Sequence, residues 1–251
     1  MLDLYKWVLA PLLIAQAARL RKTAQRLPEA SGERSGFLPG RLEDPPLRLL
    51  FLGDSSAAGV GVALQDYALA YPCAASVHRR TGRSVQWRLL AQSGINTSQA
   101  AALLEQHPPG PAEIFVTALG VNDVTSQKTP KQFVNDYRAL VRQIQLRTGA
   151  AAGVINGLPP MGSFLAIPNP LRWYLGRYAK RLDAQLRSWV ATQPQLRHVS
   201  LELSSEPSAL ASDGYHPGLE GYRQWAEHVA QCVAELLQGP GAWVRGIQSD
   251  V

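Results

Sequence analysis

Leu47-Arg48-Leu49-Leu50-Phe51-Leu52-Gly53-Asp54-Ser55-Ser56 is the stretch on which the fold turns. A run that is apolar but for Arg48 stops at a glycine, as a strand buried on both faces at the centre of a parallel sheet does. Ser55 then stands just beyond the carboxyl end of that strand, where open α/β sheets bind their ligands. Gly59-Val60-Gly61 follows and leaves the turn free to take unusual backbone angles.

Outward from this strand, residues 85–91, 114–118, 153–156 and 198–203 read as further strands, each separated from the next by helix-like sequence. Such alternation implies a parallel sheet joined by right-handed crossovers. Residues 130–147 open on proline and carry Phe133, Tyr137, Leu140, Val141 and Ile144 at helical spacing. Residues 222–237 repeat the pattern with Trp225, Val229, Cys232, Val233 and Leu236. With 251 residues, 46% of them hydrophobic, the chain can bury one large core. It divides into an apolar then basic segment (1–27), a linker rich in Pro, Gly, Ser and charge (28–46), one α/β domain (47–238) and a tail (239–251).

Near the C-terminus, Ser212-Asp213-Gly214-Tyr215-His216-Pro217 places an aspartate three residues before a histidine. Acyl transfer by a serine needs a hydroxyl at a sharp bend, an imidazole to take its proton and a carboxylate to fix the imidazole's tautomer. Between these two stretches lie Gln92-Ser93-Gly94-Ile95-Asn96-Thr97 and Gly120-Val121-Asn122-Asp123. Each alone is an ordinary turn or helix start, since Asn and Asp cap backbone donors well. Their order along the chain sets them apart.

The four blocks resemble those of the SGNH or GDSL hydrolases, and the similarity spans residues 47–237. The resemblance implies an α/β fold, a flavodoxin-like three-layer α/β/α sandwich with a five-stranded parallel sheet. It implies a serine esterase or lipase working through an acyl-enzyme, with no metal and no cofactor. Carried over residue by residue, Ser55 is the nucleophile, His216 its base and Asp213 the group that orients the ring. The amides of Ser55 and Gly94 and the side chain of Asn122 form the oxyanion hole. Ser56 departs from the family, which often has leucine there, and touches packing behind the nucleophile. The Gly-x-Ser-x-Gly elbow of α/β-hydrolases is not matched, because Ala57 stands where its second glycine belongs. Asp54 and Asp123 read as framework whose carboxylates accept hydrogen bonds from turn amides.

Substrate class is suggested by Leu158-Pro159-Pro160-Met161-Gly162-Ser163-Phe164-Leu165-Ala166-Ile167-Pro168, where Pro and Gly oppose regular structure while large apolar groups remain. Met161, Phe164 and Leu165 are its candidate substrate contacts, in a lid or acyl-chain wall; the alternative is a loop packed on the core. The leading expectation is hydrolysis of small-molecule carboxylic esters with short to medium acyl chains. A carbohydrate acyl esterase or acyltransferase using the same triad is the second, and a binding protein lacking a triad member the third. Gly59-Val60-Gly61-Val62-Ala63-Leu64 begins too far past the strand and lacks the final small residue of a dinucleotide-binding loop.

Net charge is +6, yet the basic residues are scattered apart from clusters at 19–26 and 172–187, and no nucleic-acid recognition motif accompanies them. His78, His107, His198 and His228 lack a Cys or second His at zinc-ligand spacing. Cys73 and Cys232 read as buried free thiols, with a disulfide open if the protein is exported. Trp7-Val8-Leu9-Ala10-Pro11-Leu12-Leu13-Ile14-Ala15 is interrupted by proline and falls short of the about 20 residues that span a bilayer. Followed by Arg19, Arg21, Lys22 and Arg26, it suits either peripheral contact with a membrane interface or a helix packed on its own domain or a partner. A cytoplasmic or membrane-associated location is favoured, while Ala15-Gln16-Ala17 keeps cleavage of a signal peptide open.

Overall fold

A computed structural model describes residues 2–41, 45–201 and 209–238. The fold is α/β. Its six-stranded sheet has the order β1-β3-β2-β4-β5-β6, where β1 is Ser35–Leu38, β2 Leu47–Gly53, β3 Val85–Ala91, β4 Ile114–Ala118, β5 Ala152–Asn156 and β6 Leu196–Val199. β2 to β6 are parallel throughout, and β1 adds antiparallel to the outer edge of β3. Leaving β1 aside, the order is the flavodoxin-like one, and the chain leaves β2 in opposite directions to form its two neighbours.

Each residue of β2 chooses a layer by the two-residue period of a strand. Leu47, Leu49 and Phe51 enter the core shared with helices α2 (Ala70–Thr81) and α7 (Leu219–Gln238). Leu50 and Leu52 enter the opposite core, with α3 (Thr97–Gln106), α5 (Pro130–Thr148) and α6 (Leu171–Val190). Five of the seven β2 residues are at most 2% exposed hydrophobics, so the unbroken apolar run is explained by a sheet covered on both faces. Thr129 and Gln132 close a capping box at the start of α5 with Pro130 in the first turn, and Asn96 with Gln99 does the same for α3.

The expected sheet of five strands lacked β1. Residues 35–38 sit inside the stretch read as a linker, and their alternating half-exposed pattern on an edge carries little apolar signal. The strand expected at 198–203 runs instead over Leu196–Val199; residues 202 and 203, like the tail 239–251, lie outside the described residues.

The N-terminal segment folds as helix α1 (Leu2–Thr23), packed along α6. Leu13 is buried, the Gln16 amide donates to Asn169 O (2.7 Å) and accepts from Leu171 N (3.0 Å), and Tyr5 meets Trp173 edge to face. Among the described residues no helix is long and apolar enough to cross a membrane.

Candidate active site

Gly53 ends β2 where a side chain could not fit: a Cβ there would lie 2.5 Å from Ala118 O and from the Ala57 methyl. The chain therefore turns tightly against the end of β4, with Asp54 N donating to Ala118 O (3.1 Å). Ser55 emerges at this turn. Its carbonyl neighbours are held from the far end of the sequence, since the Tyr222 hydroxyl sits 2.8 Å from both Ser56 O and Val60 O.

His216 arrives on a loop that is clasped to the nucleophile's turn. His216 Nε2 lies 2.9 Å from Ser55 Oγ, and His216 Nδ1 lies 2.6 Å from Asp213 Oδ2. The other Asp213 oxygen accepts the backbone N–H groups of Tyr215 and His216 at 3.1 and 3.0 Å. Burial alone would raise the Asp213 carboxyl, but the hydrogen bonds from His216 and Tyr215 outweigh it and hold it below its ordinary value. A charged carboxylate in this position keeps the proton of a neutral imidazole on Nδ1, leaving Nε2 to accept one from the serine.

Asp54 and Asp123 brace the site from below. Asp54 is buried and accepts from Ser56 N (3.0 Å) and Ser56 Oγ (2.7 Å), so the residue that departs from the family pattern supplies a hydroxyl bond. Burial nonetheless pushes the Asp54 carboxyl above its ordinary value. Asp123 accepts Thr97 N and Oγ1 and pairs with Lys128 (3.1 Å), tying the start of α3 to α4 (Val121–Thr125). It too is raised by burial, against the pull of Lys128.

The three expected oxyanion donors stand differently. Among the described residues the backbone N–H groups of Ser55 and Gly94 donate to no protein acceptor. Gly94 has φ +84°, which favours glycine, and nothing lies within 4 Å of where a Cβ would sit. Both hydrogens of the Asn122 amide are engaged, one on Ile95 O (2.9 Å) and one, at greater length, on Asp54 Oδ2 (3.3 Å).

Ser55 and His216 open into a cavity of about 190 Å³ whose wall is almost wholly apolar. Met161, Phe164 and Ile167 form one side, Leu119, Val121 and Leu175 another, and Leu20 of α1 closes it. Of the substrate contacts expected from the sequence, Met161 and Phe164 line this cavity. Leu165 does not: it is 80% exposed, because the 3₁₀ turn Met161–Ser163 delivers Phe164 inward and turns the next residue out.

Sequence reasoning missed Glu29, in the stretch read as a linker. Its carboxylate accepts Ser93 N (2.9 Å) and Ser93 Oγ (2.6 Å) and pairs with Arg34, so it holds the loop that carries Gly94. Tyr222 and Leu20 were missed as well; the first reads as core and the second as part of a terminal segment.

The GDSL-like lipase/acylhydrolase family model matches residues 51–224. The chain belongs to this family. It is a carboxylic ester hydrolase, as the sequence blocks implied. A GDSL-like esterase of Mycobacterium tuberculosis is 27% identical over 245 residues, which cover 90% of this chain and 77% of that protein. Among solved structures, the lipase Lip_vut3 from a goat rumen metagenome superposes with TM-score 0.60 at 19% identity, over 75% of this chain and 97% of that one. Est24, a carbohydrate acetylesterase from Sinorhizobium meliloti, gives TM-score 0.54 at 17% identity, over 76% and 99%. These solved structures share the fold with this chain at identities too low to transfer a substrate.

Proposed function

We propose that the protein is a serine esterase whose Ser55 attacks aliphatic carboxylic esters with the help of His216 and Asp213. The observation that carries this reading is the unbroken hydrogen-bonded series Ser55 Oγ, His216 Nε2, His216 Nδ1, Asp213 Oδ2, opening into an apolar cavity. As Ser55 Oγ bonds to the acyl carbon, its proton passes to His216 Nε2, and Asp213 stabilises the imidazolium. The tetrahedral oxyanion receives the free N–H groups of Ser55 and Gly94. Asn122 adds a third donor by giving up its longer bond to Asp54. Collapse expels the alcohol with the proton from His216, and water then attacks the acyl-enzyme by the same route. The apolar wall favours an aliphatic ester over one whose alcohol part is a sugar. Hydrolysis of p-nitrophenyl esters from acetate to palmitate by wild type and Ser55→Ala tests it. Turnover that Ser55→Ala abolishes is expected, and equal turnover by a folded Ser55→Ala protein would remove the serine mechanism.

We further propose that α1 rests on an anionic lipid surface. Trp7, Val8 and Ile14 are 77, 68 and 68% exposed, and the charge that follows, Arg19, Arg21, Lys22 and Arg26, is all positive. A helix with one side packed on α6 and Trp7, Val8 and Ile14 left exposed is suited to an interface, and the cations that follow suit acidic headgroups. Sedimentation with vesicles of phosphatidylglycerol is expected to retain the protein, weakly at high salt and much less for Trp7→Ser/Ile14→Ser. Equal retention by phosphatidylcholine, or none by either, would overturn the contact.

A further inference from the structure

A second cavity, of about 440 Å³, lies between α1 and α6. Leu13, Ala17 and Leu20 roof it, Leu171, Tyr174 and Leu175 floor it, and charged groups, Lys6 and Arg21, belong to α1 alone. The wall is otherwise apolar apart from Thr125, Gln127 and the tyrosine. Leu20, Thr125 and Leu175 line this cavity and the one at Ser55 alike, so the two spaces share one wall.

The cavity depends on a helix outside the residues that the family model matches. α1 ends at Thr23, well before the matched residues 51–224 begin, and without α1 there is no roof. An apolar surface of this extent left to water costs free energy that an aliphatic ligand would recover. Volume points the same way. The cavity at Ser55 is smaller than the roughly 300–1,000 Å³ usual for a small-molecule site, and the two spaces together fall within that range.

We propose that the α1–α6 cavity is the distal part of the acyl site: it takes the end of a long fatty acyl chain whose ester carbonyl lies at Ser55. The inference rests on the serine-esterase reading above. Leu20 and Leu175 are the gate between the halves, since rotation of a leucine side chain between staggered rotamers is enough to join spaces separated by it. Short acyl chains end in the first cavity, at or before Leu20. Long ones pass Leu20, so α1 sets the upper end of the chain-length range.

The test compares wild type, Ala17→Trp and Ala10→Trp on p-nitrophenyl acetate, octanoate and dodecanoate. Both alanines line the second cavity only, and an indole there obstructs it. The ratio of kcat/KM for dodecanoate to that for acetate is expected to fall at least tenfold in each variant. Dodecanoic acid should bind the Ser55→Ala protein at least tenfold more weakly when Ala17→Trp is added, which reads the site without turnover. A ratio and an affinity within twofold of wild type in a folded variant would sink the extended site while leaving the serine mechanism intact. If Ser55→Ala turns over esters as fast as wild type, the serine mechanism falls and takes the extended site with it. Should Ala17→Trp fail to fold, Ala10→Trp decides.

Discussion

Asn122 has no spare hydrogen in the resting protein: one serves Ile95 O and the other reaches Asp54 Oδ2 at 3.3 Å. The longer bond is the weaker, and burial already disfavours charge on the Asp54 it serves, so in the proposed mechanism this is the hydrogen that turns toward the oxyanion. Asn122→Ala is expected to lower kcat by about 10²–10³ with little change in KM, the usual effect of losing one such donor. Steady-state kinetics on a short-chain ester decides it; a rise in KM at constant kcat would mean that Asn122 only binds substrate. At this scale four short blocks, each local in the chain, pointed to Ser55, Gly94, Asn122, Asp213 and His216, and the structure brings Ser55, His216 and Asp213 into one hydrogen-bonded series. The sequence was silent on Glu29, whose partner Ser93 lies 64 residues away and whose own surroundings read as a linker. A single carboxylate that reaches a remote serine leaves no spacing to read. Leu165 shows the opposite error, an apolar residue in the right segment that faces solvent.

Helix α6 is joined to the strands beside it by one carboxylate. Asp183 accepts Leu158 N (3.0 Å), meets His198 Nε2 (3.0 Å) and pairs with Arg187 (2.9 Å). Burial would raise its carboxyl, yet the bonds from His198, Leu158 and Arg187 prevail and hold it below the ordinary 3.8. Since folding favours the charged form, its stabilisation is complete above that ordinary value and fades as the pH falls through the depressed one. Asp183→Asn should cost about 1–3 kcal/mol at pH 7, and urea midpoints of variant and wild type should converge in strong acid. A gap that stays constant from pH 7 to below pH 3 would exclude a role for the charge. Long elements of this kind were legible: α5, α7 and the central strands carry strong periodicity, and their expected spans differ from the observed ones by a few residues at most. β1 was not, because a four-residue edge strand buries too little to pattern its sequence.

Across the whole molecule, the two cysteines bear on how the layers are secured. Cys73 in α2 is buried and Cys232 in the adjoining α7 is half-buried, and both thiols are free. Burial pushes both thiols up, which suppresses the thiolate that oxidation needs. The thermal midpoint is therefore expected to be the same with and without a thiol reductant, and a loss of several degrees on reduction would show that a disulfide joins these helices. What secures the layers instead is apolar burial on both faces of one sheet, which the hydrophobic run at β2 had indicated.

The hydroxyl of Tyr222 against Ser56 O and Val60 O also has a meaning in time. Translation delivers the nucleophile early, but the tyrosine that shapes its turn, and the imidazole and carboxylate that would activate it, emerge only after every strand of the sheet has been made. A nascent chain on the ribosome thus exposes Ser55 as an ordinary alcohol. The Ser55 hydroxyl can meet His216 only once the chain beyond β6 has been made.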